Sequence, residues 1–343
     1  MKNAFLLMLL NFFGVQGLQA FEVSSSAILR YENETDQVNL TPRKRVRLIA
    51  SVAATHHVNK RLSVVSQVRT GLKNRQNVPA VTLYQKTNNP SGDKDIFISQ
   101  LYTRFSLNNL SATLGKIPWQ SKQISDLFWD RHLNPIGLHL EYSLAQRQKL
   151  VFATFNPLDG QTNTVGHMSL IQYQTVLAVD NALITLSPWF VDYTGEVGAN
   201  FATGDTQFDN RFLRFSGSIK LDDVRFGLDL GWSIHDVPNE LHEEFSKERQ
   251  SYVIEFRKGS LSKVGHYLTE LKYIYAERFS VVTEFAQNAS SRFATSNYKG
   301  WDFRIRYKLT SKQWLGARIS QTKRLVGEPE QSVRFRIETK LSF

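Results

Sequence analysis

A chain of 343 residues without a cysteine has no disulfide and no thiolate metal site, and 42 Lys and Arg against 31 Asp and Glu give it a formal charge of +11. A pI near 9.7 invites a nucleic-acid reading, but the basic residues alternate with apolar ones instead of forming runs or a helix face, which argues against DNA or RNA as partner. The mean hydropathy of -0.32 would suit a soluble protein, and it suits equally a membrane barrel, in which half of every strand is polar.

The chain opens with Lys2, an apolar run from Ala4 to Val15 and the stretch Leu18-Gln19-Ala20. Residues 1–20 are therefore expected to be a signal peptide cut after Ala20, with 21–343 as one barrel domain. No later stretch approaches the ~20 apolar residues of a spanning helix. The first strand, Phe21 to Glu32, begins at the expected mature terminus, which leaves no room for a plug domain. Strands follow at Arg43 to Thr55 and Leu62 to Gly71, then a polar loop to Asp95. Ile96 to Ser106 turns at Asn108-Asn109 into Leu110 to Ile117, and the stretch Pro118 to Pro135 precedes Ile136 to Leu144. Next come Lys149 to Phe155, Ser169 to Val179, Ala182 to Tyr193, Arg211 to Leu221 and Val224 to Ile234. Gly265 to Ala276, Phe279 to Ala286, Trp301 to Leu309, Trp314 to Thr322 and Ser332 to Phe343 complete the set.

Short turns alternate with longer polar loops, the periplasmic and extracellular rhythm of outer-membrane barrels. With Ser251 to Lys258 included the candidates number seventeen, an odd count that would put the termini on opposite sides. Demoting that segment to a loop restores the alternation. The expectation is an all-β, transmembrane, antiparallel up-and-down β-barrel of sixteen strands, with fourteen or eighteen as alternatives. Its closing strand alternates strictly: Val333, Phe335, Ile337, Thr339, Leu341 and Phe343 face lipid, and Ser332, Arg334, Arg336, Glu338, Lys340 and Ser342 face the lumen.

The same parity assigns inward side chains elsewhere. A basic wall is expected from Arg30, Arg43, Arg45, Arg47, Arg69, Arg104, Arg214, Arg225, Arg304, Arg306, Arg318, Arg334 and Arg336, against fewer inward acids such as Glu32, Glu270, Asp302 and Glu338. Closure of the last strand on the first would gather most of these arginines on one stretch of wall. Such a ladder favours anions, because a narrow lumen focuses its field. The alternative is that the arginines merely pair with the acids and satisfy a polar interior. Pro118 to Pro135 carries Trp119, Asp126, Phe128, Trp129 and Asp130, too apolar for an external loop. Folded inward it would form a constriction with Asp126 and Asp130 facing the basic wall; the alternative is a lid on the rim.

Arg69-Thr70-Gly71, Tyr102, Leu114-Gly115-Lys116 with Pro118, Asp126 to Asp130, and Leu133-Asn134-Pro135-Ile136-Gly137 together resemble the N-terminal half of a family of bacterial outer-membrane β-barrel proteins classed as porins. The match covers about a quarter of the mature chain, and what it implies is a pore.

An enzyme is not expected. None of the eight histidines lies in a barrel-phospholipase setting, and Gly-x-Ser-x-Gly, His-Glu-x-x-His and phosphate-cradling glycine motifs are absent from the sequence. A barrel hydrolase is the weakest alternative. His235, Asp236, Glu240, His242, Glu243 and Glu244 read as a solvated loop in preference to a cation site, so no metal or cofactor is expected. Long loops at Leu72 to Lys94 and Thr194 to Asp209 leave a surface receptor or adhesin with a plugged lumen as the rival. The leading expectation is passive diffusion of small hydrophilic, preferentially anionic, solutes in the outer membrane, surrounded by lipid and lipopolysaccharide. Monomer and homotrimer both remain open.

Overall fold

The computed structural model describes residues 21–343 apart from 37–41, 72–79, 87–94, 120–125, 158–165, 198–205, 208, 235–246, 284, 288–289 and 291–294. Its strands are β1 (Glu22–Asp36), β2 (Arg43–His57), β3 (Leu62–Thr70), β4 (Val81–Lys86), β5 (Ile96–Leu107), β6 (Leu110–Lys116), β7 (Ile136–Ala145), β8 (Gln148–Asn156), β9 (His167–Val179) and β10 (Ala182–Thr194). They continue with β11 (Glu196–Val197), β12 (Thr206–Gln207), β13 (Asn210–Leu221), β14 (Val224–Ser233), β15 (Gln250–Gly259), β16 (Tyr267–Ala276), β17 (Tyr298–Thr310), β18 (Gln313–Arg324) and β19 (Gln331–Ser342).

All pairings in the main sheet are antiparallel, and β1 pairs both β2 and β19, from Ser26 opposite Ser342 to Asp36 opposite Ser332. Closure removes the free edges that an open sheet would expose. Strands β3 and β4 share one barrel position, since β3 pairs the lower half of β2 and β4 pairs its upper half. The two-stranded ribbon β11–β12 stands apart from the main sheet. Seventeen strands of the main sheet thus fill the sixteen positions expected.

Apolar alternation explains the outer face. Phe226, Leu228, Leu230, Trp232 and Ile234 are exposed in sequence order, as are Val333, Ile337, Leu341 and Phe343. Near the long-loop end, Tyr252 stacks on Tyr275 at 5.0 Å and Tyr273 meets Trp301 edge-on at 4.9 Å. This outward cluster matches the aromatic girdle that barrels place at a lipid headgroup layer. At the other end the two-residue turns carry Asn108, Asp180 and Asp222 at positive φ, the backbone that tight hairpins require and that Asn and Asp tolerate.

Three elements differ from the sequence reading. Ser251 to Lys258 is a barrel strand, not a loop: Ser251, Val253 and Glu255 are buried, while Ile254 between them is exposed to lipid. Phe279 to Ala286 is no strand, because Phe279, Val281, Val282, Phe285 and Ala286 are all buried and no lipid-facing parity exists. This segment folds into the lumen instead. The two differences cancel in the total. Third, Val81–Lys86 forms β4 inside what composition marks as loop, with Leu83 and Tyr84 turned outward.

Candidate solute pathway

Directly opposed residues of adjacent antiparallel strands share a face, so the register converts scattered alternations into rows. One row crosses eight neighbouring strands from β2 through β1 and β19 to β14, carrying Arg45, Glu32, Arg336, Arg318, Arg304, Glu270, Arg257 and Arg225. The row on one side holds Arg43, Glu34, Arg334, Ser320, Asp302, Lys272 and Glu255, and the row on the other holds Arg47, Arg30, Glu338, Gly316 and Arg306. Twelve cationic side chains in these rows face six carboxylates.

Pairing is dense. Glu32 accepts from Arg45 at 2.6 Å and from Arg336 at 3.1 Å, with Arg30 and Arg47 at 3.5 Å. Glu34 accepts from Arg334 at 2.7 Å and also from Arg43, and Glu338 takes Arg30 and Arg304, each at 2.7 Å. Further round, Arg306 meets Glu270 at 2.7 Å, Lys272 meets Glu255 at 3.0 Å, Arg225 pairs with Glu255, and Arg318 donates through Nε to Asp302 at 2.9 Å. Breaking one partner of such a buried pair costs about 3–5 kcal/mol by leaving the other uncompensated. The acids hold the arginine side chains in place but are too few to cancel their charge.

The opposite side of the lumen is apolar. Val151, Ala153, Phe155, Met168, Leu170, Trp189, Val191, Tyr193 and Phe212 project inward from β8, β9, β10 and β13. Against them lies the loop between β6 and β7, whose Trp119, Leu127, Phe128, Trp129 and Leu133 are buried. Trp119 packs on Trp129 and Phe155 at 5.0 and 5.1 Å, and Phe128 meets Trp189 and Phe212 edge-on, both at 5.2 Å. The segment after β16 joins it: the Asp130 amide donates to the Phe285 carbonyl at 2.7 Å and the Gln287 amide to the Asp126 carbonyl at 3.1 Å.

Two glycines of the porin-like motif set the neck of this loop. Gly115 and Gly137 face each other across β6 and β7. A Cβ on Gly137 would lie 2.2 Å from the Thr154 carbonyl oxygen, and Gly115 has φ +124° and only 2.5 Å to the Leu101 oxygen. Only glycine allows this approach and this backbone.

Between the infolded segments and the basic rows is a cavity of about 440 Å³, bordered by Asp126, Arg131, Gln287 and Ser290 on one side and by Arg225, Arg257, Arg304, Arg306 and Arg318 on the other. Asp126 lies at this cavity, paired with Arg131. Asp130 does not face the basic rows: it is buried behind the loop, accepting from the His132 amide at 2.7 Å. Burial and the neighbouring Asp126 raise its pKa to about 7, against the opposing pull of the His132 amide, Arg131 and Arg69. Burial, with Arg69 and Arg131 nearby, holds the His132 imidazole well below its usual value.

Three of the expected wall arginines lie outside the rows. Arg69 donates to the His132 carbonyl and covers the Phe97 ring. Arg214 is buried in the apolar half, 4.5 Å from the Phe128 ring centroid and 5.3 Å from that of Trp189. Arg104 lies at the short-turn end beside Tyr102. The sequence reading omitted Glu34, Glu255, Arg257 and Lys272 from the inward set. The first lies beyond the expected end of β1; two others lie on β15, where the Tyr252, Ile254 and Phe256 alternation was the available signal. The His235 to Glu244 cluster falls outside the described residues.

Sixteen closed antiparallel positions, an apolar outer belt and a charged interior define a transmembrane β-barrel of the outer-membrane type. The same architecture is found in Pseudomonas aeruginosa OpdL (12% identity, TM-score 0.56, covering 94% of this chain and 98% of that one) and in Acinetobacter baumannii OccAB4 (8%, 0.54, 95% and 99%). Pseudomonas aeruginosa OccK2 (OpdF) is similar as well, at 12% identity and TM-score 0.52 over 95% and 98% of the two chains. At these identities the likeness is one of fold. No family model and no curated protein sequence matches the chain.

Proposed function

We propose that this protein is an outer-membrane porin through which small hydrophilic solutes diffuse passively, with a preference for anions. The observation that carries the reading is the central row, six arginines to two glutamates across eight adjacent strands, bordering a cavity narrowed by two infolded segments. Carboxylates on the wall neutralise only half of the cationic groups. A passing anion therefore meets a net positive field, amplified where low-dielectric walls focus it. Arg guanidinium groups also offer paired N–H donors to an oxyanion without changing protonation. The Occ and Opd neighbours are outer-membrane porins, which supports a channel and favours a non-enzymatic role.

The double variant Arg257→Gln with Arg304→Gln tests the charge assignment cleanly. Glu270 keeps Arg306 and Glu338 keeps Arg30, so no carboxylate is orphaned. The anion-to-cation permeability ratio is expected to fall in planar bilayers; an unchanged ratio would remove these rows from the ion path. A second reading, a receptor barrel with a sealed lumen, draws on the aromatic packing of the two infolded segments. A well-folded protein that passes no ions would select it.

A further inference from the structure

One sector of the outer rim, at the long-loop end of the barrel, carries charge of a single sign. Lys299 of β17 lies directly opposite Lys323 of β18, and Lys44 of β2 directly opposite Lys86 of β4. Parity turns all four outward, Lys299 with Trp301, Lys323 with Ile319, Lys44 with Val46 and Lys86 with Tyr84. All four are exposed. Strands β19 and β1 lie between the two pairs, and their outward positions at this end are Gln331, Val333, Asn33 and Thr35.

Like charges directly opposite each other destabilise a sheet, and among the described residues none of the four lysines meets a carboxylate that would relieve them. Other outward cations at this end are satisfied within the protein: Arg211 donates to Asp192 at 3.0 Å and Lys116 to the Ile98 carbonyl at 3.2 Å. The basic sector also sits just above the aromatic girdle. Lys299 is two residues beyond Trp301 and opposite Tyr275, and Lys86 is two residues beyond the outward Tyr84. The ammonium groups therefore reach the headgroup layer of the outer leaflet while their methylene stems lie along its apolar boundary. What the arrangement lacks is a counter-anion from that layer.

We propose that this sector holds a phosphorylated glycolipid of the outer leaflet, of the lipopolysaccharide class, with each opposed lysine pair straddling one phosphate. Directly opposed side chains have Cβ atoms ~4.5–5.5 Å apart, close enough for two ammonium groups to donate to oxygens of the same phosphate. The pairs are three strand spacings apart, about 14 Å at the least, so they engage different phosphates. Gln331, Asn33 and Thr35 between them offer hydrogen bonds to sugar hydroxyls. A phospholipid with one phosphate would satisfy one pair and leave this polar strip unmet. The proposal rests on the outer-membrane barrel and not on conduction.

Titration of the refolded protein in non-ionic detergent with bis-phosphorylated lipid A, the same glycolipid dephosphorylated, phosphatidylglycerol and inorganic phosphate tests it. The bis-phosphorylated glycolipid is expected to bind at least about tenfold more tightly than the other three. Lys299→Gln with Lys323→Gln, and separately Lys44→Gln with Lys86→Gln, should each weaken it by about tenfold, the loss of charge-assisted hydrogen bonds. Lys60→Gln with Lys312→Gln, in turns at the short-turn end, should leave it unchanged. Each rim double removes a like-charge pair, so both should melt at or above the wild-type temperature without glycolipid, which separates lost binding from lost folding. Equal binding of the dephosphorylated glycolipid, of phosphatidylglycerol or of inorganic phosphate, or an unaltered affinity in either rim double, would overturn the assignment. Such a failure would leave the porin reading standing, since conduction is read independently.

Discussion

Asp130 and His132, two residues apart in the infolded loop, make opposite demands on pH. Asp130 has a pKa near 7 in the docked loop against an ordinary 3.8, so its docked form holds a proton that the released form loses. It therefore favours docking at low pH, and that contribution is lost as pH rises toward 7. His132 is held well below 6.5, so protonation in the released loop opposes docking as pH falls below 6.5. Each group acts with a slope of about 1.4 kcal/mol per pH unit in its window. Below about pH 6.5 the two contributions oppose each other. Open-channel noise of the wild type, a readout of loop release, is expected to vary less with pH there than in either single variant. Asp130→Asn should make noise grow as pH falls, and His132→Gln should make it grow as pH rises; parallel responses of the two variants would contradict the account of the loop. Nothing in the sequence distinguished Asp126, at the cavity, from Asp130, buried behind the loop. Strand parity sets which way a side chain points only where there is a strand, and this segment has none.

At the scale of elements, legibility followed two-sidedness. Strands with one lipid face and one polar face, such as β14 and β19, are evident from alternation alone. Ser251 to Lys258 has the same alternation, yet counting turns and loops by length displaced it in favour of Phe279 to Ala286. That second segment is apolar at adjacent positions, Val281 and Val282, which no lipid-facing strand on a polar lumen would need. Its partner is the loop at Asp126 to Asp130, a contact between residues about 155 apart in sequence that local pattern cannot express. If this packing narrows the lumen, Phe128→Ala with Trp129→Ala, each truncation removing about 3–5 kcal/mol of burial, should leave a heat-modifiable barrel and raise single-channel conductance. An unchanged conductance would show that the infolded segments do not border the ion path.

Across the whole molecule, closure carries the functional argument. Read along the chain, the arginines of β2 and those of β17, β18 and β19 are some 250–290 residues apart. The register of β1 with β19 joins them into continuous rows, and the inward parity needed for this was already visible in the alternation of Arg43, Arg45 and Arg47 and of Arg334 and Arg336. The sequence could not show how tightly Glu32, Glu34 and Glu338 would bind these groups, because that depends on which acids meet which rows. It is the excess of twelve cations over six acids, not any single arginine, that should set selectivity. The direct measurement is the single-channel reversal potential of the refolded protein in a planar bilayer under a KCl gradient. Discrete conductance steps with a chloride-favouring potential are expected, whereas a potassium-favouring potential, or a folded barrel that passes no current, would contradict the anion-porin account.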